Sequence, residues 1–122
     1  GKECVAVGVR QVLSPVVNIA RDCRWGRLME TFGEDVLLSS NMGAAMCKGI
    51  RKNGVIATLK HYADNYSYGG RDSNSSDSSE RVMREVYLPP FEKCIKEGDA
   101  LSVMAAYNSW NGVPCSCSRE LF

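Results

Sequence analysis

The sequence predicts an α/β fold in which three parallel strands alternate with helices. Two observations carry this. Residues 12–20, 55–63 and 101–108 are mostly apolar runs that do not alternate strictly with polar residues, the pattern of strands covered on both faces. The intervals between them carry apolar residues at helical spacing, and their lengths suit right-handed βαβ crossovers.

Taken in order, residues 3–8 read as the tail of an earlier helix, and residues 12–20 as the first strand, complicated by Pro15. Residues 35–50 form the first intervening helix. Leu37, Leu38, Met42, Ala45, Met46 and Ile50 fall at helical spacing and give one apolar face. Lys48, Arg51 and Lys52 suit the carboxyl end of the helix dipole, and Asn53-Gly54 stops it. The second helix starts at Asp77, followed three residues on by Glu80, in a capping-box arrangement with Asp in place of Ser or Thr. Val82, Met83, Val86 and Tyr87 continue it until Pro89-Pro90, which cannot donate backbone hydrogen bonds and must interrupt or kink it. Residues 91–97 resume the helix before Gly98. The polar stretch 66–79 is long for a βα turn and reads as a functional loop, lid or linker. Asn65-Tyr66-Ser67 and Asn74-Ser75-Ser76 match the short glycosylation sequon.

Composition narrows the function classes. The 122 residues are 44% hydrophobic and 24% charged, and 15 basic side chains against 14 acidic ones leave a net charge of +1. That describes one globular unit at most, without room for a complete (β/α)8 barrel of about 250 residues. Near-neutral charge argues against nucleic acid or an anionic membrane as partner. No apolar run approaches the ~20 residues of a membrane span. The six cysteines are irregularly spaced and read as free thiols, with Cys4, Cys47 and Cys94 as small helix residues. With one histidine, His61, and no C-x-x-C pair, no metal site is expected.

The polar residues collect after the apolar part of each strand, where parallel βα folds carry their sites. After the first strand, Arg21, Asp22, Arg24, Trp25, Arg27 and Glu30 form a dense cluster. Arg27 suits adjacent hydroxyls, with Asp22 and Glu30 fixing guanidinium positions. Trp25 offers a flat face to a ligand or packs beneath the loop. After the second strand, Lys60 and His61 reach one ligand only if the backbone bends, because adjacent strand residues point to opposite faces. After the third, Met104 and Tyr107 lead to Trp110, a stacking wall or a core residue. A salt-bridged surface loop and a satisfied histidine are the bland readings of the same residues. Glycosidic hydrolysis uses two carboxyl groups flanking the bond; Asp22, Glu30, Asp64 and Asp72 are present, but no spacing assigns either role. No nucleophile elbow, phosphate loop or dinucleotide fingerprint appears; Gly69-Gly70 is too weak a signal.

Four ordered segments carry a resemblance. SPVVNIARDCRWGRLMETFGED at 14–35, then LKHYADN, SERVMREVYLPPFEKCIKEG and LSVMAAYNSWNGVP, together resemble glycoside hydrolase family 3, the β-glucosidase and β-xylosidase group. The resemblance implies that residues 1–122 are a partial family 3 N-terminal domain. The fold would be a partial (β/α)8 TIM barrel of about three parallel strands with intervening helices, with open sheet edges that invite self-association or the missing barrel segments. It further implies that Arg27, Lys60 and His61 bind the hydroxyls of the nonreducing-end sugar of a β-linked glucoside or xyloside in subsite −1. Tyr107 would stand beside the nucleophile, Met104 would be a neighbouring wall residue of the substrate site, and Asp22, Trp25 and Glu30 would support it. A cis Lys60–His61 peptide, as in relatives, would answer the opposite-faces problem. No cofactor is implied.

Two departures from the family pattern stand out. Cys23 takes a position where Pro is common, and these residues do not include the family's catalytic Asp, its acid/base carboxylate or the upstream Asp that grips the sugar hydroxyls. The KHYADN context differs from the Lys-His-Phe-Pro-Gly pattern of the N-acetylglucosaminidase branch, which favours the glucosidase or xylosidase branch. The expected nucleophile and acid/base lie outside these residues, so the leading expectation is a segment of a retaining exo-hydrolase that binds glycone without catalysing either covalent step. The alternatives are a noncatalytic carbohydrate-binding or assembly module and an inactive structural fragment.

Overall fold

A computed structural model describes residues 1–65, 70 and 72–122. A short helix α1 (Lys2–Ala6) leads to strand β1 (Gln11–Val12), then helix α2 (Val36–Arg51) and strand β2 (Ile56–Tyr62). Strand β3 (Ser75–Ser76) precedes a broken helix: α3 (Glu80–Val82), a π-helical turn at Met83–Tyr87, and α4 (Pro89–Lys96). Strands β4 (Ser102–Ala105), β5 (Ser109–Trp110) and β6 (Val113–Pro114) complete the order. The main sheet is parallel, in the order β1-β2-β4, with helical crossovers between its strands. This is the partial α/β barrel architecture, with β2 central and β1 and β4 at the edges. A second small sheet, β3-β5-β6, closes the end of the main sheet that carries the polar residues.

The first strand is shorter than the periodicity suggests. After Val12 the chain follows β2 only by intermittent bonds: Thr58 N to Ser14 O, Lys60 N to Pro15 O and Val17 N to Lys60 O, all 3.0–3.1 Å. Pro15, preceded by a cis peptide, has no N–H to give to a ladder, so at residues 14 and 15 the segment reaches the sheet through its carbonyls, and an N–H donates to it only at Val17. Residues 16–19 are nevertheless all buried. The third strand ends at Ala105, three residues before the expected limit.

The apolar face expected on α2 is not its buried face. Leu37, Leu38, Ala45, Met42 and Met46 are exposed, and of the six expected residues only Ile50 is buried. The buried side is instead small: Ser39, Ser40, Gly43, Ala44 and Cys47. The cause is the close approach of α4 and of Val17, against which a larger stripe could not fit. Asp35 caps the helix by accepting from Leu38 N at 2.6 Å, and Gly54, at φ +73°, turns the chain after it.

Helix α3 starts two residues later than the capping-box pattern suggests. Ser79 is the N-cap, accepting from Val82 N at 3.3 Å, while Asp77 accepts from Ser75 Oγ. Leu88 marks the break, and Pro89 and Pro90 occupy the first turn of α4, where a missing N–H costs nothing. The helical tail at the amino end is observed as α1. Of the polar stretch 66–79, residues 66–69 and 71 lie outside the described residues, as do part of the sequon at 65–67 and the first glycine of Gly69-Gly70; β3 lies within the remainder.

Two apolar clusters result. One joins Val17, Ala44, Cys47, Val55, Ala57, Leu59, Phe91 and Cys94 between the main sheet and its helices. The other gathers Ile19, Ala63, Met83, Tyr87, Ala106, Trp110, Cys115 and Leu121 around the end of that sheet. Trp110 therefore belongs to the core, its Nε1 donating to Ser78. All six cysteines are free thiols.

Candidate functional site

The loop after β1 is a closed unit. Its base is pinned by Ala20 N donating to Gly33 O at 3.1 Å, and its interior turns through Trp25 N to Asp22 O and Leu28 N to Trp25 O. Trp25 is buried beneath it, so of its two expected roles the structure takes packing. A 3₁₀ turn at Leu28–Glu30 sets Arg27 and Glu30 three residues apart on one side. Arg27 Nε and Nη2 donate to the two Glu30 oxygens at 2.6 and 2.7 Å, a fork-to-fork pair.

The third guanidinium nitrogen, Arg27 Nη1, lies 2.5 Å from His61 Nε2. Lys60 Nζ stands 3.7 Å from Glu30 Oε2. Two adjacent residues of β2 thus meet one Arg–Glu pair. The register between β2 and β4 shifts between Lys60 and Tyr62, so His61 has no partner in the ladder, and the Lys60–His61 peptide is cis. A local irregularity of this kind re-aims a side chain. The Tyr62–Ala63 peptide is cis as well, which no sequence signal indicated.

Asn18 holds His61 in place. Its Nδ2 donates to His61 O, and its Oδ1 accepts from His61 N, both at 2.8 Å; Oδ1 also lies 3.1 Å from His61 Nδ1. Both residues are buried, Asn18 with 3% and His61 with 4% of its surface exposed. Asn18 was not among the expected site residues. The signal was available: it is the one amide in an otherwise apolar run, VVNIA, and a buried Asn must find partners.

The remaining candidates take different places. Asp22 serves Arg24, not Arg27: its oxygens accept from Arg24 N, Nε and Nη2 at 2.7–2.9 Å. The Arg24 hydrogen bonds hold its carboxyl down at about 2. Met104 pairs with Lys60 across β4 and is half-buried. Tyr107 is 70% exposed and within electrostatic reach of Arg27. The Glu30 hydrogen bond raises the Arg27 guanidinium above its ordinary value against the opposing effect of burial. In return, the Arg27 bonds hold the Glu30 carboxyl below the usual range, with burial opposing and the charges of Arg27 and Lys60 adding. Asp64 lies elsewhere, buried in the second cluster, where Ser78 Oγ donates to it at 3.0 Å. Among the described residues no group of His, Cys, Asp and Glu is arranged to hold a metal ion.

The arrangement presents guanidinium, ammonium and imidazole groups fixed by one carboxylate and one amide. Such a set offers several fixed N–H donors to oxygen atoms of a ligand. The profile of the Glycosyl hydrolase family 3 N terminal domain matches residues 1–122. A β-xylosidase of Formosa agariphila is 44% identical over 98% of this chain, which spans 18% of that protein. β-Glucosidase B of Emericella nidulans is 46% identical over 93% of the chain and 14% of its own length. Among solved structures, β-glucosidase 3B from Thermotoga neapolitana in complex with α-D-glucose superposes with a TM-score of 0.95 at 38% identity, over 98% of this chain and 17% of that one. The Kluyveromyces marxianus β-glucosidase in complex with glucose gives 0.94, also at 38% identity, over 98% of this chain and 14% of that one. The chain thus spans less than a fifth of the length of these relatives.

Proposed function

The chain belongs to glycosyl hydrolase family 3, through its N-terminal domain, and on that premise we propose that it supplies the glycone-binding wall of a retaining β-glucosidase-like exo-hydrolase. One observation carries this reading: Arg27, Lys60 and His61, from two successive strand ends, converge on Glu30 and on one another. Their donors would hold the hydroxyls of the nonreducing-end sugar in subsite −1, with Met104 and Tyr107 beside them. The substrate class is a β-linked glucoside or xyloside, matching the activities for which the relatives are named.

In retaining hydrolysis one carboxylate attacks the anomeric carbon while a second carboxyl group protonates the leaving oxygen; water then releases the sugar with net retention. This chain's residues orient the sugar ring for those steps, lowering the barrier through positioning. The nucleophile and the acid/base come from outside residues 1–122, which form one part of the barrel domain. The edge strands β1 and β4 are open for the other barrel segments or for a second copy.

Titration of D-glucose and D-xylose into the chain, followed by amide NMR, tests the reading. Saturable shifts at residues 60 and 61 that vanish in Arg27→Ala are expected. No shift at saturating sugar overturns glycone binding. Hydrolysis of an aryl β-glucoside by the purified chain, lost in Arg27→Ala, overturns the assignment of the covalent steps to other residues.

A further inference from the structure

We propose that Asn18 is a positioning residue that locks His61 in the Nδ1–H tautomer and so makes its Nε2 an acceptor for a sugar hydroxyl proton. The substrate part of this rests on the glycone reading above; the tautomer part does not.

The argument begins with groups whose polarity is not adjustable. The backbone N–H of His61 can only donate and its backbone carbonyl can only accept. Asn18 meets both at 2.8 Å, so its amide orientation is settled: the oxygen faces His61 N and the NH₂ faces His61 O. That same oxygen stands 3.1 Å from His61 Nδ1. An amide oxygen can only accept, so Nδ1 must carry the proton. On the other side of the ring, Arg27 Nη1 is a permanent donor facing Nε2. A protonated Nε2 would set two donors against each other, so Nε2 keeps its lone pair. Two neighbours on opposite sides of the ring therefore require the same neutral tautomer.

The consequence is chemical selectivity. Nε2 can accept a hydrogen bond from a ligand and cannot donate one. A glycone hydroxyl that displaces the direct Nη1–Nε2 contact, with the Arg27 side chain giving way, would donate to Nε2 and accept from Nη1, exchanging one hydrogen bond for two. An O-alkylated position has no proton for Nε2 and would leave that lone pair unsatisfied.

The chain has a single histidine, so ¹⁵N-imidazole labelling reads this ring alone. In mildly alkaline buffer the expected spectrum has a proton-bearing Nδ1 and a bare Nε2. Arg27→Ala should keep that pattern, because Asn18 remains; Asn18→Ala should turn the single tautomer into a mixture. A wild-type ring protonated at Nε2, a switch to Nε2–H in Arg27→Ala, or a pure Nδ1–H ring in a folded Asn18→Ala each overturns the proposal. Should Asn18→Ala fail to fold, the wild type and Arg27→Ala decide it. Added D-glucose is expected to move the Nε2 resonance and leave Nδ1 protonated. An unmoved Nε2 with the tautomer intact would defeat the sugar reading and leave the role of Asn18 standing.

Discussion

Gly43 faces Cys94 so closely that a Cβ on residue 43 would stand 2.7 Å from the Cys94 sulfur, and equally close to Val17 Cγ1. Both neighbours are fully buried, so neither can swing away into solvent. Gly43→Ala gains about 1 kcal/mol of helix propensity but forces a contact of the kind that costs roughly 1–3 kcal/mol. A net loss of about 1 kcal/mol is expected. Gly49, on the same helix, has open space where its Cβ would be, and Gly49→Ala should stabilise by about 0.5–1 kcal/mol. Urea midpoints of the two variants should therefore move in opposite directions. A stabilised Gly43→Ala would contradict the close helix contact.

The buried Asp64 should make the fold less stable as pH rises. Burial pushes its carboxyl up to about 6, with the Ser78 hydrogen bond and the charge of Arg21 opposing. A group whose folded value exceeds its unfolded one contributes stability below the unfolded value and loses it through the folded one. The window is therefore from about pH 4 to about pH 6 or slightly above, and the loss is about 3 kcal/mol at most. Subtracting the pH profile of Asp64→Asn from that of the wild type isolates this contribution. A flat difference across the window would contradict it.

Glu30 and Arg27 should separate binding from stability. The pair is partly exposed, and exposed ion pairs contribute about 0–1 kcal/mol to folding. Glu30→Ala should leave the denaturation midpoint nearly unchanged. It should weaken glucose binding by about tenfold or more, because charge-assisted positioning bonds are worth about 1.5–3 kcal/mol. Calorimetric titration checks this, and unchanged affinity would remove Glu30 from the site.

The two helix starts give a further pair of outcomes. Loss of a working N-cap costs about 1 kcal/mol. Asp35→Ala and Ser79→Ala should each cost about that much, since each accepts from the third residue beyond it. Asp77→Ala should stay within about 0.5 kcal/mol. Thermal melts of the three variants test whether the cap lies at residue 79 or at residue 77.

The class of fold was legible because apolar runs and helical periodicity are averages over many residues. The finer errors all arose where one local contact outweighed an average. Leu37, Leu38, Met42 and Met46 share a helical face by spacing, yet Gly43, Ala44 and Cys47 are the residues buried, because proximity to α4 selects for small size rather than hydrophobicity. Asp77 fits the capping pattern, but its carboxylate is taken by Ser75, leaving Ser79 to cap. At the site, Arg27, Lys60 and His61 could be named from their positions after strands. Their convergence could not, since it depends on the missing ladder partner at His61 and on the amide of Asn18, which spacing rules do not weigh.

Tyr62 touches both apolar clusters. Its ring meets Phe91 edge-on at 5.1 Å, and its hydroxyl donates to Leu121 O at 2.9 Å. A side chain shared in this way makes the helix-packed layer and the second cluster interdependent in unfolding. Release of Leu121 and Phe122 from the tyrosine would loosen the same residue that packs under α4, so the two layers should lose amide-exchange protection together as one cooperative unit. The peptide segment that carries Lys60 and His61 is then no more stable than that unit, and loosening at Leu121 would be felt at residues 60 and 61.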